Sequence, residues 1–156
     1  MRLTEFTDHA LRLLMYLGSC GGRMLTIDQV AGEFGISRNH LAKVVNELAT
    51  DGVIATVRGR CGGIRLAQDP RDIRLGEIVR RTEPDFRMAQ CFGGGSVADC
   101  PFGPACRLRE SLAEATEAYL AELNRLSLAE LLSTVSTSAP GRGRAIPIPC
   151  IEDTMP

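Results

Sequence analysis

Between Val53 and Ala67 the chain carries a β-branched stretch, Val53-Ile54-Ala55-Thr56-Val57, then a glycine-rich turn, Arg58-Gly59-Arg60-Cys61-Gly62-Gly63, then the alternating run Ile64-Arg65-Leu66-Ala67. Two short strands around such a turn make a hairpin. What precedes it limits the fold it can belong to. From about Thr4 to Gly18, Phe6, Ala10, Leu13, Leu14 and Leu17 recur at helical spacing. Thr26-x-x-Gln29 is a capping-box pattern that opens a second helix carrying Ile27, Val30, Ala31 and Phe34, and Gly35 breaks it. Ser37 is a suitable N-cap for a third helix, with Leu41, Val44, Val45 and Leu48 as its inward stripe and Asp51-Gly52 as its stop. Three short helices followed by a hairpin with an arginine-bearing tip is the order of a winged helix-turn-helix.

Charge points to the same surface. Residues 1–68 hold eight Arg and Lys against six Asp and Glu, and residues 69–156 hold ten against thirteen. Within Ile36–Leu66, Arg38, Lys43, Arg58, Arg60 and Arg65 face only Glu47 and Asp51. A basic patch inside a chain of net charge −1 suggests a face for a polyanion rather than a generally adhesive protein. In a helix-turn-helix, residues at the start of the second helix meet base edges in the major groove. Arg38, Asn39, His40 and Lys43 are the candidates there, since Arg can fork onto guanine and Asn onto adenine. Arg58 and Arg60 on the hairpin suit phosphate or minor-groove contact. No apolar run approaches the ~18 residues needed to span a bilayer. Glu5, Asp8 and His9 interrupt the start of the chain where a secretory signal would be apolar. The expectation is a soluble, cytoplasmic, non-enzymatic DNA-binding protein, mainly α with a small β-hairpin.

After Pro70 a short amphipathic helix is expected over Leu75–Thr82. Pro84–Pro104 has no clear period. From about Ala105 a long helix follows, with Leu112, Ala115, Tyr119, Leu123 and Leu126 at three- and four-residue steps. Little chain remains to cover such a stripe, so it suggests packing against a second subunit. Ser127-x-x-Glu130 is another capping box, starting a last short helix. The expected organisation is a DNA-binding domain over 1–68, a loop and dimerisation helix over 69–133, and a disordered Ser/Thr- then Pro/Gly-rich tail over 134–156.

Six cysteines are many for a chain in a reducing compartment, where clustered thiols are more often metal ligands or redox centres than disulfides. Cys91-x8-Cys100-x5-Cys106 is the cluster, and Cys20, Cys61 and Cys150 are scattered. Zinc-finger ligands pair two to four residues apart. The wider spacing here suits a loop wrapped round a larger object, and thiolates are the usual iron–sulfur ligands. Gly93-Gly94-Gly95 would let the loop wrap, and Pro101 and Pro104 would stiffen its second half. A zinc site, a thiol–disulfide switch and incidental cysteines are the alternatives. Three thiolates leave one ligand open. The histidines, His9 and His40, lie in the other half of the chain, and Asp8 is a further candidate. Its plainer role is a favourable charge in the first turn of a helix, paired with Arg12 at i,i+4.

Several of these runs resemble a known family. Phe6-Thr7-Asp8-His9-Ala10-Leu11-Arg12, Ser37-Arg38-Asn39-His40-Leu41, Val57 to Leu66 and Pro104-Ala105-Cys106-Arg107-Leu108 are similar to the bacterial iron–sulfur winged-helix regulators. That family includes the NsrR, IscR and RirA types, and the resemblance covers about residues 1–133. It implies a homodimeric repressor that reads an inverted-repeat operator in double-stranded DNA. It implies that Cys91, Cys100 and Cys106 hold an iron–sulfur cluster, with [4Fe–4S] favoured over [2Fe–2S]. In the NsrR type, nitric oxide attacks the cluster and releases DNA, and a first-helix aspartate of the other subunit completes the ligands; Asp8 matches it. The Cys91–Cys100 gap is longer than in several NsrR-type members and resembles the RirA loop. Arg109 stands where the IscR type has a histidine ligand, which argues against that coordination. The run Ser37-Arg38-Asn39-His40 and the presence of Asp8 favour the NsrR type. The remaining alternatives are a RirA-like or IscR-like regulator of iron or cluster status, or a zinc or thiol regulator on the same scaffold.

Overall fold

The computed structural model describes residues 2–59, 62–86, 88–92, 100, 102 and 106–138. Helix α1 spans Glu5–Ser19 and is capped by Thr4, whose hydroxyl accepts from the Thr7 amide at 3.3 Å. Its apolar spacing buries Ala10, Leu13, Leu14 and Leu17 on one side. Helix α2, Ile27–Phe34, starts with both bonds of the expected capping box: the Thr26 amide donates to Gln29 Oε1 (2.8 Å) and the Gln29 amide to Thr26 Oγ1 (3.3 Å). It stops at Gly35, whose φ of +65° is the left-handed conformation that favours glycine. Helix α3, Arg38–Thr50, begins at Ser37, whose hydroxyl accepts from the His40 amide at 3.1 Å.

The hairpin forms as strands β1, Ile54–Val57, and β2, Gly63–Leu66, antiparallel with Ile54 opposite Leu66 and Thr56 opposite Ile64. Its inner residues Ile54 and Ile64 are buried with Leu41, Val44, Val45 and Leu48 of α3 and the leucines of α1 in one core. Each fully buried leucine contributes about 1.5–3 kcal/mol. The sequence reading does not foresee that Leu25, just ahead of α2, joins the hairpin from its other edge. Leu25 and Ile64 exchange backbone bonds of 3.1 and 2.7 Å. Gly63 is needed there because a Cβ would meet the Leu25 carbonyl oxygen at 2.5 Å.

Helix α4, Leu75–Thr82, has the expected bounds and buries Leu75, Ile78, Val79 and Thr82. Helix α5, Arg107–Asn124, crosses it. Its buried residues are Thr116 and Leu120, which lie beside the stripe read from the sequence. Leu112, Tyr119 and Leu123 of that stripe are half-buried and Ala115 is exposed. Ion pairing flanks the crossing: both terminal nitrogens of Arg80 reach the Glu117 carboxylate, the shorter contact being 2.8 Å. That bond holds the Glu117 carboxyl below the usual range.

Helix α6, Leu128–Ser138, opens on the Ser127/Glu130 capping box, with bonds of 2.7 and 3.2 Å. The Ser127 backbone N–H and hydroxyl keep the Glu130 carboxyl below its ordinary pKa. Leu128 is fully buried and α6 lies on α1. This corrects the expected tail boundary at residue 134, because the helix runs on to Ser138. Serine and threonine cost only a few tenths of a kcal/mol in a helix, which a turn already nucleated by a cap can absorb. The rest of the expected tail, 139–156, lies outside the described residues. Among the described residues no helix is long and apolar enough to cross a membrane.

Candidate functional site

Ser37 starts α3 where α2 has just stopped, so Arg38 and Asn39 stand at the exposed N-terminal end of the second helix of the helix-turn-helix. Lys43 is exposed on the next turn. Arg38 is not free: its Nε lies 2.8 Å from Oδ1 of Asp28 in the first turn of α2. Sequence reasoning misses Asp28, because a contact between two helices leaves no periodic signal along either one.

His40 departs from expectation. It is one of the residues expected to face bases, yet its ring packs inward against α1. It stands edge-on to His9, centroids 4.9 Å apart, with Phe6 at 6.5 Å. His40 Nε2 is buried without a hydrogen-bond partner among the described residues. The reason is helical geometry: successive residues are turned by about 100°, so Arg38, Asn39 and His40 point to three different sides of the helix. On the hairpin, Arg58 is exposed next to Gly59, whose φ of +114° suits only glycine. Arg60 and Cys61 lie outside the described residues. The structure therefore places Arg38, Asn39, Lys43 and Arg58 on the exposed surface and turns His40 away from it.

The cysteine segment follows α4. Glu83, at its end, accepts from the Thr4 amide (2.8 Å) and the Thr4 hydroxyl (3.1 Å), which ties the start of α1 to the start of this segment. Cys91 lies in a short 3-10 turn, Gln90–Phe92, and Cys106 is the N-cap of α5 without a side-chain cap bond. The guanidinium of Arg109 sits 5.8 Å from the Phe92 ring centroid and brings that turn against the first turn of α5. Cys91, Cys100 and Cys106 are free, half-buried thiols. Among the described residues, no three of His, Cys, Asp or Glu gather as a metal site. Asp8 is instead paired with Arg12 at 2.9 Å, with 45% of its side chain exposed. The donor chemistry of the segment fits a thiolate-bound group: three uncommitted sulfurs on a short span, one of them at a helix N-terminus that favours negative charge.

A three-helix unit, a basic recognition-helix start and a hairpin wing make this a winged helix-turn-helix DNA-binding regulator. The family model described as Rrf2, iron-dependent transcriptional regulator, matches residues 3–134, and the chain belongs to that family. It is 44% identical over 133 residues to the HTH-type transcriptional regulator NsrR of Bacillus subtilis (strain 168), covering 85% of this chain and 90% of that one. Among solved structures, T. potens IscR superposes with a TM-score of 0.70 at 19% identity, over 92% of this chain and 94% of its own. The oxidized form of Staphylococcus aureus CymR superposes with a TM-score of 0.66 at 22% identity, over 85% and 96%. The protein is thus a transcriptional regulator and not an enzyme.

Proposed function

We propose that the protein is an iron–sulfur-dependent repressor that binds an inverted-repeat operator as a homodimer and leaves it when nitric oxide reacts with the cluster. The observation that carries this reading is the joint presence of an exposed basic start of α3 and three free thiols in the segment that leads into α5, in a chain 44% identical to an NsrR protein. Cys91, Cys100 and Cys106 would hold the cluster, and the partner subunit's Asp8 would complete its ligands. When bound, the cluster supplies iron that nitric oxide can ligate. Residues 1–68 would be the reading unit and 69–133 the sensing and dimerising unit. The exposed Ala115 and the half-buried Leu112, Tyr119 and Leu123 would face the partner's α5.

This chain's own part in the switch is carried by α1. Asp8 has two alternative partners, the sensor segment of the other subunit and Arg12 one turn away. Binding to the first couples one protomer's DNA-binding unit to its partner's sensor. Falling back on Arg12 uncouples them, and the arrangement that fits two half-sites loses its bias.

The DNA-facing part of the reading is tested on the hairpin. Arg58→Ala should weaken binding to operator and to unrelated duplex alike, and lower the slope of log K against log salt by about 0.9 for each phosphate that is no longer neutralised. Fluorescence anisotropy across a salt series measures both. A change in sequence preference with an unchanged salt slope would show that the hairpin reads bases rather than phosphates. Iron and inorganic sulfide analysis after anaerobic purification separates the cluster reading from a zinc or thiol regulator.

A further inference from the structure

We propose that Asp28 is a positioning residue for sequence recognition, holding the Arg38 guanidinium in the orientation that reads a guanine; this rests on α3 being the recognition helix. The ion pair has Arg38 Nε 2.8 Å from Asp28 Oδ1, with 63% and 69% of the two side chains exposed. A pair this exposed adds little to folding. A carboxylate beside a polyanion-binding helix also opposes binding through repulsion. Attraction to DNA does not account for an acid there, and the favourable charge of a helix's first turn does not require the contact with Arg38.

Geometry accounts for that contact. The guanidinium is a planar fork of five N–H donors. With Nε held 2.8 Å from the Asp28 carboxylate, and no other ion-pair partner for the group among the described residues, both terminal nitrogens are left at the far end of the plane. Two parallel donors in that arrangement match O6 and N7 of guanine. The support is firm, because Asp28 is two residues from Thr26, whose capping box fixes the first turn of α2. The left-handed Gly35 and the Ser37 cap then set where α3 begins. A long, rotamer-rich side chain is thereby aligned before DNA arrives, and less freedom is lost on binding.

Two opposing effects follow from removing the carboxylate, and they separate the roles. If Asp28 is only a surface charge, Asp28→Ala raises affinity for every duplex by the same factor. If it positions Arg38, discrimination at one guanine falls even where non-specific affinity rises. The test uses the anaerobically purified full-length chain and a pool of duplexes with randomised half-sites. Selections are run with the wild type, Arg38→Ala, Asp28→Ala and Asp28→Asn. The wild type should select a guanine at one position of each half-site, and Arg38→Ala should lose it. Asp28→Ala should lower the preference for that guanine, measured against a duplex substituted there, by roughly tenfold while leaving other positions unchanged. Asp28→Asn removes the charge that holds Nε while keeping the size of the side chain, so it too should lower the preference. It also decides the matter if Asp28→Ala fails to fold. An intact guanine preference in both Asp28 variants, with Arg38→Ala having lost it, overturns the role of Asp28 alone. An unchanged profile in Arg38→Ala overturns the reading of α3 along with it.

Discussion

Replacing Cys91, Cys100 or Cys106 with alanine is expected to abolish both the sulfur-to-iron absorbance and operator-specific binding while leaving the fold intact. The separation is physical. None of the three thiols belongs to the apolar core that joins α1, α3 and the hairpin. Cys106 caps α5 through its backbone alone, its carbonyl accepting from the Arg109 amide at 3.1 Å, so losing its sulfur does not open the helix. The cost should therefore fall on the coupling between units, not on the winged helix itself. Non-specific binding through Arg58 and Lys43 should survive, so the loss should appear as a fall in the specificity ratio by a factor on the order of the 10³ or more that separates the two modes. Near-native circular dichroism with lost operator binding is the expected pairing. Full operator binding by an iron-free variant would contradict the account.

Leu120→Ala should be strongly destabilising. Leu120 is fully buried and, with Thr116, is one of only two buried described residues of α5. Deleting its side chain leaves a cavity at the α4–α5 crossing. A buried leucine replaced by alanine costs about 2–5 kcal/mol, which for a domain of this size lowers Tm by on the order of 10 °C. The crossing is too tight to close around the loss from the other side. Gly76 of α4 already lies so near the Leu120 carbonyl oxygen and Asn124 that a Cβ there would collide with both. Leu112→Ala, on the half-exposed face, should cost the monomer far less and act through association, making Tm more dependent on protein concentration. Scanning calorimetry at two concentrations distinguishes them. A Leu120→Ala protein melting within a degree or two of wild type would mean that α5 is not anchored as described.

The contrast between these leucines also shows where a sequence can be read and where it cannot. Local chemistry is legible: the Thr26/Gln29 and Ser127/Glu130 boxes, the Ser37 cap, the Gly35 stop and the bounds of α4 all follow from bonds between residues three or four apart. Which face of α5 meets α4 is not, because Leu112, Tyr119 and Leu123 form a better stripe than Thr116 and Leu120. Periodicity reports an apolar face without saying what covers it. His40 eludes the sequence for a related reason: proximity to the recognition-helix start says nothing about the turn of the helix, which points this ring at His9. Asp28 and Leu25 act across elements, through Arg38 and Ile64, and leave no mark in either local pattern. Of the candidate site, the exposed basic residues of α3 and the hairpin and the three thiols are visible as chemistry. The pairing of Asp8 with Arg12 is visible as an i,i+4 spacing and stands in the structure as an ion pair.

If a thiolate-held cluster controls operator binding and nitric oxide is its signal, cluster and DNA affinity must respond to nitric oxide together. An anaerobic titration of the purified full-length protein with nitric oxide, following visible absorbance and operator anisotropy together, tests it most directly. The visible sulfur-to-iron band and operator binding should be lost in step. Survival of DNA binding after the band has gone, or a band indifferent to nitric oxide, would contradict it.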